Sequence, residues 1–194
     1  LTEAGNRLAQ LAQSHLSSLE DFQQTCQDLP QTLSLGAANS VLEWMVMPRM
    51  TRVREALPNT RFTFYSGRTK ELVSQVSDMT LDFALVREDA VSTPLKSRRV
   101  ATLTYALFLP AKLAKGVTPG NLKSALARLP LATSMGGQFL DQLTGAAQKA
   151  NWPLQIDLAC TSYTQAARAC EAGGYGAILP TIAATQMHLA GAVM

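Results

Sequence analysis

The first 30 residues carry apolar and small side chains at alternating intervals of four and three positions. This spacing places one stripe along a helix and is typical of a seam where two helices pack together. The seam positions are Leu1, Gly5, Leu8, Ala12, His15, Leu19, Phe22, Cys26 and Leu29. Pro30 ends the segment. The pattern predicts one long dimerisation helix over residues 1–30. The alternative is that the stripe packs on the domain of its own chain.

After Pro30 the pattern changes to short apolar runs that alternate with amphipathic stretches. Such alternation favours parallel strands joined by right-handed helical crossovers. The predicted elements are strand 32–36, helix 40–57, strand 61–65, helix 69–79 and a fully buried strand 81–86. Pro48 lies inside the first helix and removes one backbone hydrogen bond, so we expect a bend there.

A polar loop and an extended run over residues 100–109 lead to a second set of elements. These are helix 121–129, strand 131–134, helix 138–150, strand 154–159, helix 162–171 and strand 175–179. Residues 181–194 have the character of a helix that starts back toward the first lobe. The pattern therefore predicts an α/β fold with two Rossmann-like lobes of the type 2 periplasmic-binding-protein kind, behind a long linker helix. Lobe I would span 31–104 with 181–194 returning to it, and lobe II would span 105–180.

Composition fits a packed globular protein and excludes several classes of function. Of the 194 residues, 47% are hydrophobic and 16% are charged, and the net charge of +3 is too small to argue for a nucleic-acid surface. No apolar run approaches the roughly 20 residues that a membrane-spanning helix needs. Three cysteines are too few, and too odd in number, for a disulfide framework. We therefore expect a cytoplasmic protein that does not act at a membrane.

Four polar segments follow the predicted strands, and each opens a helix. Ligands of open parallel sheets bind at the carboxyl ends of the strands, and helix N-termini there favour anions such as carboxylates. The candidate effector-binding residues are Ala38, Asn39, Ser40, Gly67, Arg68, Thr69, Ser134, Met135, Gly136, Thr161 and Ser162. Arg68 is the cation among them and could hold a carboxylate through its two-pronged guanidinium.

Each of these residues also has a purely structural interpretation. Ser40 and Glu43 have the spacing of a capping box, so the Ser40 hydroxyl could serve its own helix. Thr69, Ser134 and Thr161 could be caps of the same kind, and Arg68 could be a solvated surface residue.

Signatures of catalysis are missing from the sequence. The two histidines have no carboxylate partner at a recognisable spacing, and neither a phosphate-binding glycine loop nor a metal-binding cysteine and histidine pattern occurs. Cys160 and Cys170 allow a redox hypothesis, although small buried thiols are the commoner explanation. We expect no enzyme activity, no metal and no cofactor.

Six short motifs in order resemble those of the LysR-type transcriptional regulators. They are LTEAGNRL at 1–8, SLGA at 34–37 followed by MP at 47–48 and ALP at 56–58, LDFAL at 81–85, and GYGAILP at 174–180. The first looks like the end of that family's winged helix-turn-helix domain and the start of its linker helix. The others are similar to the two lobes of its effector domain.

The resemblance implies a regulator of transcription that forms a homodimer or homotetramer and senses a small effector in the cleft between its lobes. Asn39, Ser40, Arg68, Thr69, Ser134 and Thr161 stand at the family's usual contact positions. DNA would be bound only through a winged helix-turn-helix domain that this sequence does not include. The competing hypothesis is the solute-binding protein of a transporter, which shares the bilobed fold but gives no reason for a heptad helix.

Overall fold

The computed structural model describes residues 2–26, 30–135, 138–188 and 191–193. The chain separates into two compact units, Leu1–Val100 and Ala101–Met194. Each unit is therefore one continuous stretch of sequence. The first ends four residues before the predicted boundary, and the second keeps the residues after Pro180 that were expected to return to lobe I.

Helix α1, Glu3–Cys26, begins the first unit and confirms the predicted long helix. The Thr2 hydroxyl accepts a hydrogen bond from the Gly5 N–H at 3.2 Å and caps the helix start. The apolar stripe is exposed: Leu8 is 68%, Leu19 64% and Phe22 69% accessible. The stripe therefore does not pack on its own unit over these positions.

Parallel strands form the sheet of the first unit. The strands are β1 (Gln31–Ala37), β2 (Thr60–Ser66) and β3 (Phe83–Leu85). Among the described residues they pair in the order β2-β1-β3, with β1 in the centre. The prediction of a fully buried third strand is wrong, because β3 lies at the sheet edge and Phe83 is 55% exposed.

The connection from β1 to β2 is a helical segment of mixed type. It consists of α2 (Asn39–Val41), a π-helical turn (Leu42–Val46), a 3-10 turn (Met47–Arg49) and α3 (Met50–Ala56). Pro48 cannot donate a backbone hydrogen bond, which accounts for the irregular turns around it. The Arg49 guanidinium donates to the Met45 carbonyl at 2.6 Å and supplies that carbonyl with a partner.

Helix α4, Thr69–Ser77, packs on β1 through Leu72, which is 1% exposed. A Cβ at Gly36 would lie 2.5 Å from terminal methyl groups of both Leu72 and Leu81. Glycine in β1 therefore allows the close approach of these two leucines. The Asp82 carboxylate accepts hydrogen bonds from the Ser34 N–H at 2.7 Å and the Ser34 hydroxyl at 2.6 Å, and so fixes β3 beside β1.

A mixed sheet forms the centre of the second unit. Its strands are β4 (Tyr105–Pro110), β5 (Leu131–Ser134), β6 (Leu158–Cys160), β7 (Gly176–Pro180) and β8 (Gly191–Val193). Their order within the described residues is β6-β5-β7-β4-β8, with β5, β6 and β7 parallel and β4 antiparallel to its two neighbours.

Helices pack against this sheet. They are α5 (Ala111–Ala114), α6 (Leu122–Leu126), α7 (Gln138–Lys149) and α8 (Tyr163–Glu171). Leu109, Leu131 and Leu179 are completely buried. The second core is therefore deeper than the first.

The prediction of a helix over residues 181–194 is wrong for the described residues. A 3-10 turn spans Thr181–Thr185, and Gly191–Val193 forms β8 against β4. Glycine permits this pairing, because a Cβ at position 191 would overlap the Leu109 carbonyl oxygen. Antiparallel hydrogen bonding thus overrides the helical tendency of an alanine-rich segment.

Candidate functional site

The carboxyl edge of the first sheet brings two predicted segments together. Ala37, the last residue of β1, stands opposite Ser66 of β2 and Leu85 of β3. The Gly67 N–H donates to the Ala37 carbonyl at 3.2 Å. This bond ties the loop after β2 to the end of β1, so the candidates on the two loops lie at one edge of the sheet.

The helix after β1 begins one residue earlier than predicted. Ala38 occupies the N-cap position and provides no side-chain hydrogen bond, whereas Ser40 lies inside the first turn and is 7% exposed. The Asn39 amide donates to the Glu43 carboxylate at 2.6 Å. The capping-box interpretation of Ser40 is therefore wrong.

The loop after β2 presents a cation at the start of α4. The Glu71 carboxylate accepts from the Arg68 N–H at 3.0 Å, and Thr69 is the first residue of the helix. The Arg68 side chain is exposed and Gly67 is half-buried. The Glu71 carboxylate thus provides an acceptor for the Arg68 N–H at the helix start. The Arg68 guanidinium is the group of this loop that can attract a carboxylate.

The carboxyl edge of the second sheet holds the other candidates. Ser134, the last residue of β5, stands opposite Cys160 of β6, and the Met135 N–H donates to the Cys160 carbonyl at 2.6 Å. Ser134 is half-buried and Met135 is exposed. Gly136 lies outside the described residues. Ser134 and Met135 are therefore held beside the end of β6.

Local hydrogen bonds occupy the start of α8. The Ser162 hydroxyl accepts from the Gln165 N–H at 3.3 Å and shares a 2.8 Å hydrogen bond with the Thr164 hydroxyl. The N–H and hydroxyl of Thr161 both donate to the Gln165 side-chain oxygen, at 3.0 Å and 2.9 Å. The cap of this helix is Ser162 rather than Thr161. The side chains at this helix start are therefore joined in a local hydrogen-bond network.

Sequence reasoning missed an aromatic group at this same edge. The Tyr105 and Phe139 rings stack with centroids 3.5 Å apart and an angle of 10° between their planes. The Tyr163 ring lies 5.8 Å from Tyr105 at 55°. Burial, followed by the proximity of Tyr105, raises the pKa of the Tyr163 phenol above its usual range. The three aromatic residues are far apart in the chain, so no local sequence pattern connects them. Their proximity depends on the register of β4 against β7, which places Tyr105 at the carboxyl edge of the sheet.

The two described cysteine side chains are buried free thiols. Burial raises the pKa of Cys160, and it raises the pKa of Cys170 to about 11. The Cys170 thiol also donates to the Phe108 carbonyl at 3.5 Å. Protonated, enclosed thiols are poor nucleophiles, which favours the packing interpretation over the redox one.

The dimerisation residues predicted on α1 are exposed wherever their side chains are described. These are Leu8, Ala12, His15, Leu19 and Phe22. Leu29 and the Cys26 side chain lie outside the described part of the chain.

Over the residues that the structure covers, no helix is both long and apolar enough to cross a membrane. In the same residues, no group of three or more potential metal ligands occurs.

Comparison with known proteins adds a family and a fold. The family model described as "LysR substrate binding domain" matches residues 27–194. No curated protein sequence matches the chain.

Similar solved structures are LysR regulators or parts of them. HinK, a LysR family transcriptional regulator from Pseudomonas aeruginosa, superposes with a TM-score of 0.62 at 18% identity over 93% of this chain and 63% of HinK. The AmpR effector domain from the same organism gives 0.60 at 16% identity, covering 81% of this chain and 74% of that one.

The C-terminal domain of a probable LysR family regulator from Rhodococcus sp. RHA1 gives 0.63 at 16% identity, with coverage of 78% and 74%. The chain thus spans less than two thirds of HinK. Identities this low show the fold alone, and they confirm the predicted fold class.

Proposed function

Because the chain belongs to the LysR substrate-binding domain family, we propose that it is the ligand-sensing and oligomerising part of a LysR-type transcriptional regulator. The family match over residues 27–194 carries this proposal. The exposed stripe of α1, immediately before the matched region, supports it further. The alternative, a solute-binding protein of a transporter, is not favoured, because that function does not account for an exposed apolar helix.

The proposed effector is a small anion, and the carboxyl edge of each sheet provides candidate contacts for it. In the first unit, the candidate contacts are the helix start after β1 at Ala38–Ser40 and the Arg68 guanidinium. In the second unit, the candidate contacts are Ser134, Met135 and the Thr161–Ser162 pair. Charge-assisted hydrogen bonds from such groups hold carboxylates well.

Thermal-shift screening of small carboxylates, followed by calorimetry on the best ligand, tests the site. We expect Ser40→Ala and Arg68→Ala each to weaken binding by about tenfold or more, because hydrogen bonds to an ion contribute more than neutral ones. Arg61→Ala is the matched control, since Arg61 is also exposed but lies at the opposite end of β2. Equal weakening by Arg61→Ala would mean that only the general positive charge matters.

We propose that α1 joins two copies into a homodimer, which could pair further into a homotetramer. Light scattering on the chain should give at least a dimer at tens of micromolar. Leu8→Glu combined with Leu19→Glu should give a monomer, because the exposed stripe would then carry like charges. Gln13→Glu, an exposed polar position on the same helix, is the control.

A cytoplasmic location, the lack of a catalytic role and the lack of a cofactor remain part of the proposal. DNA would be contacted through a winged helix-turn-helix encoded before Leu1. Reading the gene upstream of this segment tests that point directly. A secretion signal there would support the transporter alternative instead.

A further inference from the structure

Three aromatic side chains from separate elements meet at the carboxyl edge of the second sheet. Tyr105 opens β4 and stands opposite Pro180, the last residue of β7. Phe139 lies in the first turn of α7, which follows β5, and Tyr163 opens α8, which follows β6. Phe139 thus lies on the helix that follows Ser134, and Tyr163 directly follows Ser162, two of the proposed effector contacts.

These rings do not belong wholly to the core. Phe139 packs partly on the apolar cluster around Leu109 and Leu131, yet all three aromatic side chains keep part of their surface exposed. Fully buried positions of the same unit are filled by residues such as Leu109, Leu179 and Phe108. We call the exposed parts of these three rings the aromatic wall.

The geometry points to a ligand with an aromatic ring. Resting on the proposed function, we infer that the second unit recognises the ring of a small aromatic acid against Tyr105, Phe139 and Tyr163. Offset or tilted packing of a ligand ring on such a wall is favourable. The Tyr163 and Tyr105 side chains are hydrogen-bonded to each other, and the pair keeps one phenol proton that can be donated to the ligand's anionic group.

Calorimetry with two probes of equal charge and similar shape tests this inference. The probes are benzoate, which has a flat π face, and cyclohexanecarboxylate, which has none. We expect the 194-residue chain to bind benzoate about fivefold to tenfold more tightly, as ring–ring contacts allow. Tyr105→Leu should bring that ratio close to one. Tyr163→Phe should keep the ratio but weaken both probes.

Tyr175→Leu is the matched control, because Tyr175 is also half-buried but precedes β7 at the opposite edge of the sheet. It should leave the ratio unchanged. Circular dichroism checks that each variant is folded, and Phe139→Leu replaces Tyr105→Leu if the latter does not fold.

Three results would overturn the inference: no benzoate binding at about 10 mM, equal affinity for both probes, or a ratio that survives Tyr105→Leu. Equal affinity would leave the proposed function standing, because an anion would still be bound. Failure of every carboxylate in the wider screen would count against the proposed function itself.

Discussion

In both units an aspartate stands immediately before a short parallel strand and accepts a backbone hydrogen bond from the strand beside it. Asp82 precedes β3 and accepts from Ser34 at 2.7 Å, and Asp157 precedes β6 and accepts from the Leu131 N–H at 3.0 Å. The surroundings differ, since Ser34 is half-buried and Leu131 is fully enclosed. The same hydrogen bond thus fixes β3 in a partly exposed sheet in the first unit and β6 beside a fully buried strand in the second.

The helix starts at the two edges differ as well. The second unit caps α8 with Ser162, whereas the first unit begins α2 at Ala38 without a side-chain cap. Ser162 thus provides its helix with a side-chain acceptor for the Gln165 N–H, whereas Ala38 provides none.

Truncating matched central leucines should give the largest difference between the units. Leu131→Ala in β5 is expected to lower the free energy of unfolding by about 3–5 kcal/mol, because it leaves a cavity in a closed core. Leu35→Ala in β1 should cost only about 1–2 kcal/mol, because Leu35 is half-buried and water can reach the site.

Urea titration followed by tryptophan fluorescence measures each unit separately. The two tryptophans divide between the units, with Trp44 in the first and Trp152 in the second. A Trp152→Phe background reports the first unit and a Trp44→Phe background the second. Equal costs for the two leucines would contradict the difference in core depth.

Glycine substitutions should give an intermediate effect. Gly36→Ala is expected to destabilise the first unit by about 1–3 kcal/mol, because its Cβ would press on Leu72 and Leu81. Gly145→Ala in α7 meets nothing within 4 Å and should stabilise the second unit by about 0.5–1 kcal/mol. Opposite shifts of the urea midpoint would bear this out, and a stabilising Gly36→Ala would mean that the leucines can move aside.

The smallest effect should come from the two serines at the helix starts. Ser162→Ala is expected to cost about 1 kcal/mol, because the Gln165 N–H loses its cap. Ser40→Ala should cost less, because Ser40 is not the N-cap of its helix. Hydrogen exchange at the Gln165 amide should accelerate in the first variant. If Ser40→Ala proved as costly as Ser162→Ala, the contrast between the helix starts would be lost.

Periodicity predicted much of the fold from local signals. The heptad spacing located α1, and the apolar runs located β1, β2, β5 and β7 to within one or two residues. Periodicity failed where the burial or the secondary structure of a segment depends on which strand it pairs with. Residues 81–86 have the composition of a buried strand, yet their exposure depends on whether another strand covers β3. Residues 191–193 became a strand because β4 offers them an edge.

The loops that carry the candidate residues could be located from the sequence, but the hydrogen bonds at their helix starts could not. Strand ends identified the loops, yet the sequence placed the cap on Ser40 when the structure places it at Ala38. A one-residue shift in a helix start has no clear sequence signal. The aromatic wall of Tyr105, Phe139 and Tyr163 was missed because its members meet only through tertiary packing.

The continuity of each unit has a consequence for how the protein is made. Every strand pairing of the first sheet involves residues up to Leu85, so this sheet can form while the rest of the chain is still being synthesised. Strand β4 instead pairs with β7 and β8, which are translated much later. Its apolar Leu107–Leu109 segment must therefore emerge from the ribosome well before its partners, and this interval is when a nascent chain most needs a chaperone.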